Sequence, residues 1–112
     1  MERDELEKMT REYQQIQEQL QQLSMQRDQF GAQKEDLKEA FSEVEKSAGK
    51  IYLAVGGVMV DVAKDSAVKS LNERQESAEM RISILTKQID DLSKKEKTLR
   101  EELTKALKDI KQ

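Results

Sequence analysis

Apolar residues in this chain recur at alternating steps of three and four, and they do so twice. In the first run Leu6, Met9, Tyr13, Ile16, Leu20 and Leu23 are followed by Phe30, Leu37, Phe41, Val44 and Ala48, with Arg27 and Lys34 filling the two gaps. The second holds Val68, Leu71, Ala78, Ile82, Leu85, Ile89, Leu92, Leu99, Leu103, Ala106 and Ile110, interrupted by Gln75 and Glu96. A repeat of this kind lays one apolar stripe along an α-helix and drives left-handed pairing with a second helix. A lone helix has nothing to cover the stripe. The two runs are equal in length, roughly 64 Å each at 1.5 Å per residue, so each is the natural cover for the other.

Composition agrees with long helices rather than a thick core: 112 residues with no Pro, 4 Gly, 38% charged and 4% aromatic. Gly31 lowers local helix propensity by about 1 kcal/mol relative to Ala, too little to end a pattern that resumes in register. The short connector between Ala48 and Val68 predicts an antiparallel return, with Leu6 facing Ile110 and Ala48 facing Val68. Arg27, Lys34 and Glu96 either fix register by pairing or send their long stems out to water; snorkelling is the expected behaviour in so narrow a seam. One unbroken helix is disfavoured by Gly49, Gly56 and Gly57, which fall where the repeat lapses. Asp65 or Ser66 is the expected cap of the second helix.

Between the arms lies Ile51-Tyr52-Leu53-Ala54-Val55-Gly56-Gly57-Val58-Met59-Val60, the longest apolar stretch. With Gly56-Gly57 as a two-residue loop, strand 51–55 pairs with 58–62. Alternation then puts Ile51, Leu53, Val55, Val58, Val60 and Val62 on one face, and Tyr52, Ala54, Met59 and Asp61 on the other. Burying six such side chains represents on the order of 10 kcal/mol of gross driving force, while a two-stranded ribbon alone is marginal and keeps both edges open. Either other hairpins complete the sheet, or the ribbon folds onto the base of its own coiled coil and the chain is a monomer. Assembly is the expected outcome. The fold class is thus mostly α, a long antiparallel two-helix coiled-coil hairpin with a short central β-hairpin. Residues 1–48 form one arm, 49–64 the oligomerisation segment and 65–112 the other arm.

Several function classes lack their chemistry. Without Cys or His the chain has no thiolate and none of the commonest neutral-pH acid, base or metal ligand. Asp90-Asp91 and Glu101-Glu102 sit on open helix faces with nothing to tune a pKa, so neither a catalytic nor a metal site is expected, and no cofactor. Gly56-Gly57 leads into a strand rather than a helix, unlike a phosphate-binding loop. Net charge is −3, and neither arm offers the basic groove or stacking surface that nucleic acid selects. The central stretch is far below the roughly 20 residues of a membrane-spanning helix, and the start Met1-Glu2-Arg3-Asp4 is unlike a secretory signal.

The run from Ile51 to Val60, followed by Leu71, Glu73-Arg74, Ile82, Leu85, Lys87-Gln88, Leu92, Leu99 and Leu103, resembles the β-class subunits of prefoldin, a family of archaeal and eukaryotic holdase chaperones. The Tyr-x-x-Val-Gly core at 52–56 is its most specific part, since heptads alone match thousands of coiled coils. Two positions that are often basic in the family are Leu53 and Asp61 here. The resemblance implies a hexamer of two α-class and four β-class subunits whose hairpins join into β-barrels. It also implies capture of unfolded proteins without nucleotide and their transfer to a cytosolic group II chaperonin, hence a cytoplasmic location.

The oligomerisation residues are then Ile51, Tyr52, Leu53, Val55, Gly56, Gly57, Val58, Val60 and Val62. With the hairpin hidden, the free ends of the arms become the expected client surface: Leu6, Met9 and Tyr13 with Leu99, Leu103, Leu107 and Ile110. Leu107 lies off the seam, so these ends carry more apolar surface than one partner helix covers, and helix ends fray at little cost. A coiled-coil scaffold or tether without general chaperone activity is the alternative.

Overall fold

Stripe and glycine pair partition the chain as their spacing requires. In the computed structural model, which describes residues 2–110, the order is α1 (Arg3–Lys46), β1 (Ile51–Val55), β2 (Val58–Val62) and α2 (Lys64–Ile110). The backbone divides into a terminal unit, Met1–Arg27 with Ile84–Gln112, and a central unit, Asp28–Ser83. Acidic Asp4 and Glu5 open α1 and Lys46 closes it; Asp65 and Lys108 do the same for α2. Each charge complements the partial charge of its helix end.

Within both units the large residues turned away from water are mainly those of the stripe. In the terminal unit Leu85 (8% exposed), Ile89 and Ala106 are buried, while Leu6, Met9, Tyr13, Ile16, Leu20 and Leu23 are half-buried. In the central unit Ala78 is buried, and Phe30, Leu37, Phe41 and Val44 are half-buried. No described residue of α1 reaches full burial. Two helices touch along one line, so each stripe keeps flanks in water.

The pairing is antiparallel in each unit, but it has slid from the expected register. In the terminal unit Tyr13 meets Glu96, where a Leu6–Ile110 pairing would set it opposite Leu103. In the central unit Lys34 Nζ lies 3.0 Å from Glu79 Oε1 rather than beside Ile82, and the Arg81 guanidinium stands 5.2 Å from the centroid of the Phe30 ring. Both displacements run toward the N-terminus of α2, by about one helical turn or more. This register supplies both Lys34 and Glu96 with partners. Snorkelling was therefore the wrong expectation for these two. The slide also leaves Ala48 exposed beyond the end of α1, and Ile110 59% exposed.

The hairpin has the expected register: Ile51 pairs with Val62, Tyr52 with Asp61, Leu53 with Val60, Ala54 with Met59 and Val55 with Val58. Of the two loop glycines only Gly56 takes a positive φ, 61°, so the reversed dihedral falls at the first loop position, as in a type II′ turn, and Gly57 does not need it. At the foot of the hairpin Lys64 Nζ donates to the carbonyls of Glu45 (2.9 Å) and Ser47 (3.2 Å), satisfying acceptors that the end of α1 leaves open. The second helix begins at Lys64, where the Ala67 amide bonds the Ala63 carbonyl at 3.0 Å. Asp65 and Ser66 thus sit inside its first turn instead of capping it.

Two outcomes follow for stability, both measurable by urea unfolding. Leu85→Ala lowers the unfolding free energy by about 2 kcal/mol, the low end for a buried leucine because the seam is open to solvent, whereas Met80→Ala, at a side chain 66% exposed, stays within about 0.5 kcal/mol. Gly56→Ala costs about 1–2 kcal/mol through its positive φ, and Gly57→Ala, with open space around it, is neutral or slightly stabilising.

Candidate functional site

Two surfaces hold the residues singled out by the sequence, one in each unit. In the central unit the hairpin brings Ile51, Leu53, Val55, Val58, Val60 and Val62 onto one face by strand alternation. That face is uncovered toward the turn: exposure rises from 37% at Leu53 and 42% at Val60 to 63% at Val58, while Ile51 and Val62 at the foot are half-buried. Tyr52 and Met59 on the opposite face are also more than half exposed. Gly56 and Gly57 form the turn.

Ladder geometry adds a second incompleteness. Val55 and Val58 flank a two-residue turn and form a hydrogen-bonded pair, so the alternation turns the backbone groups of Tyr52, Ala54, Met59 and Asp61 outward. The one charge in the strands, Asp61, has Lys50 Nζ at 3.8 Å, and both are too exposed for the pair to contribute much.

Beneath the foot of the hairpin lies a mainly apolar groove lined by Val44, Ile51, Leu53, Val62, Ala67 and Leu71. Ser66, Ser70 and Arg74 from α2 border it. Sequence reasoning did not single out this floor of small residues. Its signal was present in Ser66, Ala67 and Ser70, which share a helix face at steps of three and four.

In the terminal unit the expected client residues divide into two kinds. Leu6, Met9, Tyr13, Leu99 and Leu103 are half-buried on the seam, whereas Leu107 and Ile110 are at least half exposed. Tyr13 is more than an apolar surface. Its hydroxyl donates to Glu96 Oε1 at 3.0 Å and accepts from Gln17 Nε2 at 3.2 Å, and Arg100 Nε lies 3.7 Å from the same carboxylate oxygen. The hydrogen bond to Glu96, then burial and the carboxylate's charge, raise the phenol above its ordinary value of 10.0, against the opposing charge of Arg100. Because the neutral phenol is the donor, the bond is intact below the ordinary value and is lost only as pH rises through the raised one. Leu107 and Ile110 lie beyond this layer with no comparable tie.

No helix among the described residues is long and apolar enough to cross a membrane. The chemistry on display is adhesive: open aliphatic faces, free strand edges and half-covered seams.

Known proteins share this arrangement. Residues 7–110 match the family model described as prefoldin subunit. A prefoldin subunit beta from Pyrobaculum calidifontis is 32% identical over 104 residues, covering 91% of this chain and 83% of its own. One from Methanosarcina mazei is 33% identical over 96 residues, covering 84% and 82%. Among solved structures, the prefoldin beta subunit from Thermococcus strain KS-1 superposes with a TM-score of 0.85 at 30% identity, covering 92% of each chain. The beta2 subunit from the same strain gives 0.58 at 26% identity, covering 86% of this chain and 97% of its own. The match runs through helix, hairpin and helix alike, and with it the chain belongs to the prefoldin subunit family, as a chaperone subunit of the β class.

Proposed function

We propose that this chain works in the cytoplasm as the β-class subunit of a prefoldin hexamer that captures unfolded proteins without nucleotide and passes them to a group II chaperonin. The observation that carries the proposal is the uncovered aliphatic face of the hairpin, with exposure rising to 63% at Val58. A chain that leaves this face and four sets of outward backbone groups in water is completed by strands from its neighbours. Two α-class and further β-class hairpins supply them, and residues 49–64 act as the assembly segment between two arms, 1–48 and 65–112.

One register satisfies the edges and the face together. With β1 of one subunit antiparallel to β2 of the next, the outward groups at Tyr52 and Ala54 meet the neighbour's positions equivalent to Asp61 and Met59. The aliphatic residues then stay on one face, and every pair of arms leaves on the same side. Repetition around a ring closes a barrel, which abolishes edges altogether.

Clients bind at the ends of the arms. There Leu6, Met9 and Tyr13 with Leu99, Leu103, Leu107 and Ile110 provide a half-covered seam and unpartnered aliphatics. Leucines and a flexible methionine suit many apolar segments without selecting one. Several such ends on one assembly multiply weak contacts into useful avidity, so neither a pocket nor ATP is needed.

Two experiments test the parts separately. Val60→Lys places a charge on the aliphatic face without touching the arms. In native mass measurement of the chain co-expressed with an α-class subunit, the variant is expected to lose the mixed complex while circular dichroism keeps its helical signal. A mixed complex that survives the substitution removes the hairpin from assembly. Deletion of residues 1–9 and 104–112 has the opposite signature, with assembly retained and suppression of client aggregation in nucleotide-free buffer falling by at least about tenfold in effective concentration, as expected when several weak contacts are lost at once. Unchanged suppression would place the client elsewhere, and absence of suppression by the intact assembly would favour a scaffold.

A further inference from the structure

Among the described residues of the terminal unit, the bond from Tyr13 to Glu96 is the one side-chain hydrogen bond that joins α1 to α2. It divides that unit into two stretches of different strength. Between this layer and residues 27 and 84 the seam buries two large aliphatics, Leu85 and Ile89. Between it and the chain ends the contact rests on half-buried Leu6, Met9, Leu99 and Leu103, with small Ala106 as the sole buried residue described. Parting the helices on the terminal side uncovers no large aliphatic that is fully buried, whereas parting them beyond the layer uncovers two. Breaking the layer itself is harder, because it also costs the charge-assisted hydrogen bond from the phenol to a carboxylate whose side chain is only 18% exposed.

We infer that the Tyr13–Glu96 bond is a stop: the helix ends part as far as this layer and no farther, so that the surface offered to a bound chain is the seam between it and the ends of the helices. The inference rests on the proposed reading that these ends receive clients, and it names what they receive. From Tyr13 to the start of α1 the seam runs roughly 16 Å at 1.5 Å per residue. An extended segment rising about 3.3 Å per residue covers that length with roughly five residues. The fitting client is therefore a short apolar stretch of an unfolded chain. Gln17, which donates to the phenol oxygen, and Arg100, beside the carboxylate, hold the two bonded groups in place.

Hydrogen exchange read by mass spectrometry on the assembled full-length protein tests the stop directly, since helix turns that lose their partner are marginal in water and exchange. In the parent protein, amides of residues 4–12 and 99–108 exchange fast and those of 16–26 and 85–94 slowly. Tyr13→Phe keeps the ring and loses the bond, and is expected to move the fast zone inward past Ile16 and Leu92. Glu96→Gln keeps an acceptor for the phenol and leaves the boundary in place. Met9→Ala weakens the seam without touching the bond, so it raises rates inside the fast zone and does not shift its limit. A boundary unmoved by Tyr13→Phe, or moved equally by Glu96→Gln or Met9→Ala, overturns the inference. Client capture is read on the same proteins: a boundary that moves while capture stays unchanged leaves the stop standing and defeats the reading of the helix ends as the client surface.

Discussion

A helix that packs against a single partner can bury one line of side chains and nothing more, and this geometric limit governs the whole molecule. It is why α1 has no fully buried residue among those described, and why the few buried positions of α2 are either alanines or aliphatics at the centre of the stripe. Stability is distributed thinly along each unit instead of concentrated in a core. A globular domain buries its adhesive surface to become stable; a two-helix pair keeps much of it in contact with water.

The same limit gives polar seam residues unusual influence. In a thick core Lys34 and Glu96 would be expensive intrusions, but here their solvent-facing flanks lower the penalty and the alignment gives each of them a partner. The pairs to Glu79 and Tyr13 hold in the observed register and not in the one that apolar matching alone suggests. Apolar positions spaced by the heptad are nearly equivalent under a slide of one turn, so they specify that the helices pair and leave open where. Directional groups resolve that degeneracy.

This separates what was legible in the chain from what was not. The two helices, the strand pairing and the aliphatic face follow from spacing alone, because a period of 3.5 and a period of two are local properties. Register, the start of α2 at Lys64 and the confinement of positive φ to Gly56 are products of tertiary contact or of backbone detail below the resolution of residue type. Ala48 and Ile110 fit the repeat perfectly and still lie exposed, since a repeat cannot announce where its partner runs out. For the candidate surfaces, sequence singled out the hairpin residues and the terminal leucines as expected contact residues. It missed the groove floor at Ser66, Ala67 and Ser70 and the hydrogen-bonding role of Tyr13, both of which depend on what a second element brings near.

The contact from Lys64 to the carbonyls of Glu45 and Ser47 separates two tasks within one chain. One ammonium ties the end of α1 to the start of α2 beneath the strands, so the intervening segment is a loop closed at its foot by a contact in addition to its own ladder. Strand sequence is thereby released from the task of joining the helices. It is free to answer to the face and the edges that the hairpin presents, while the pair of helices it connects is tied by a contact outside the strands.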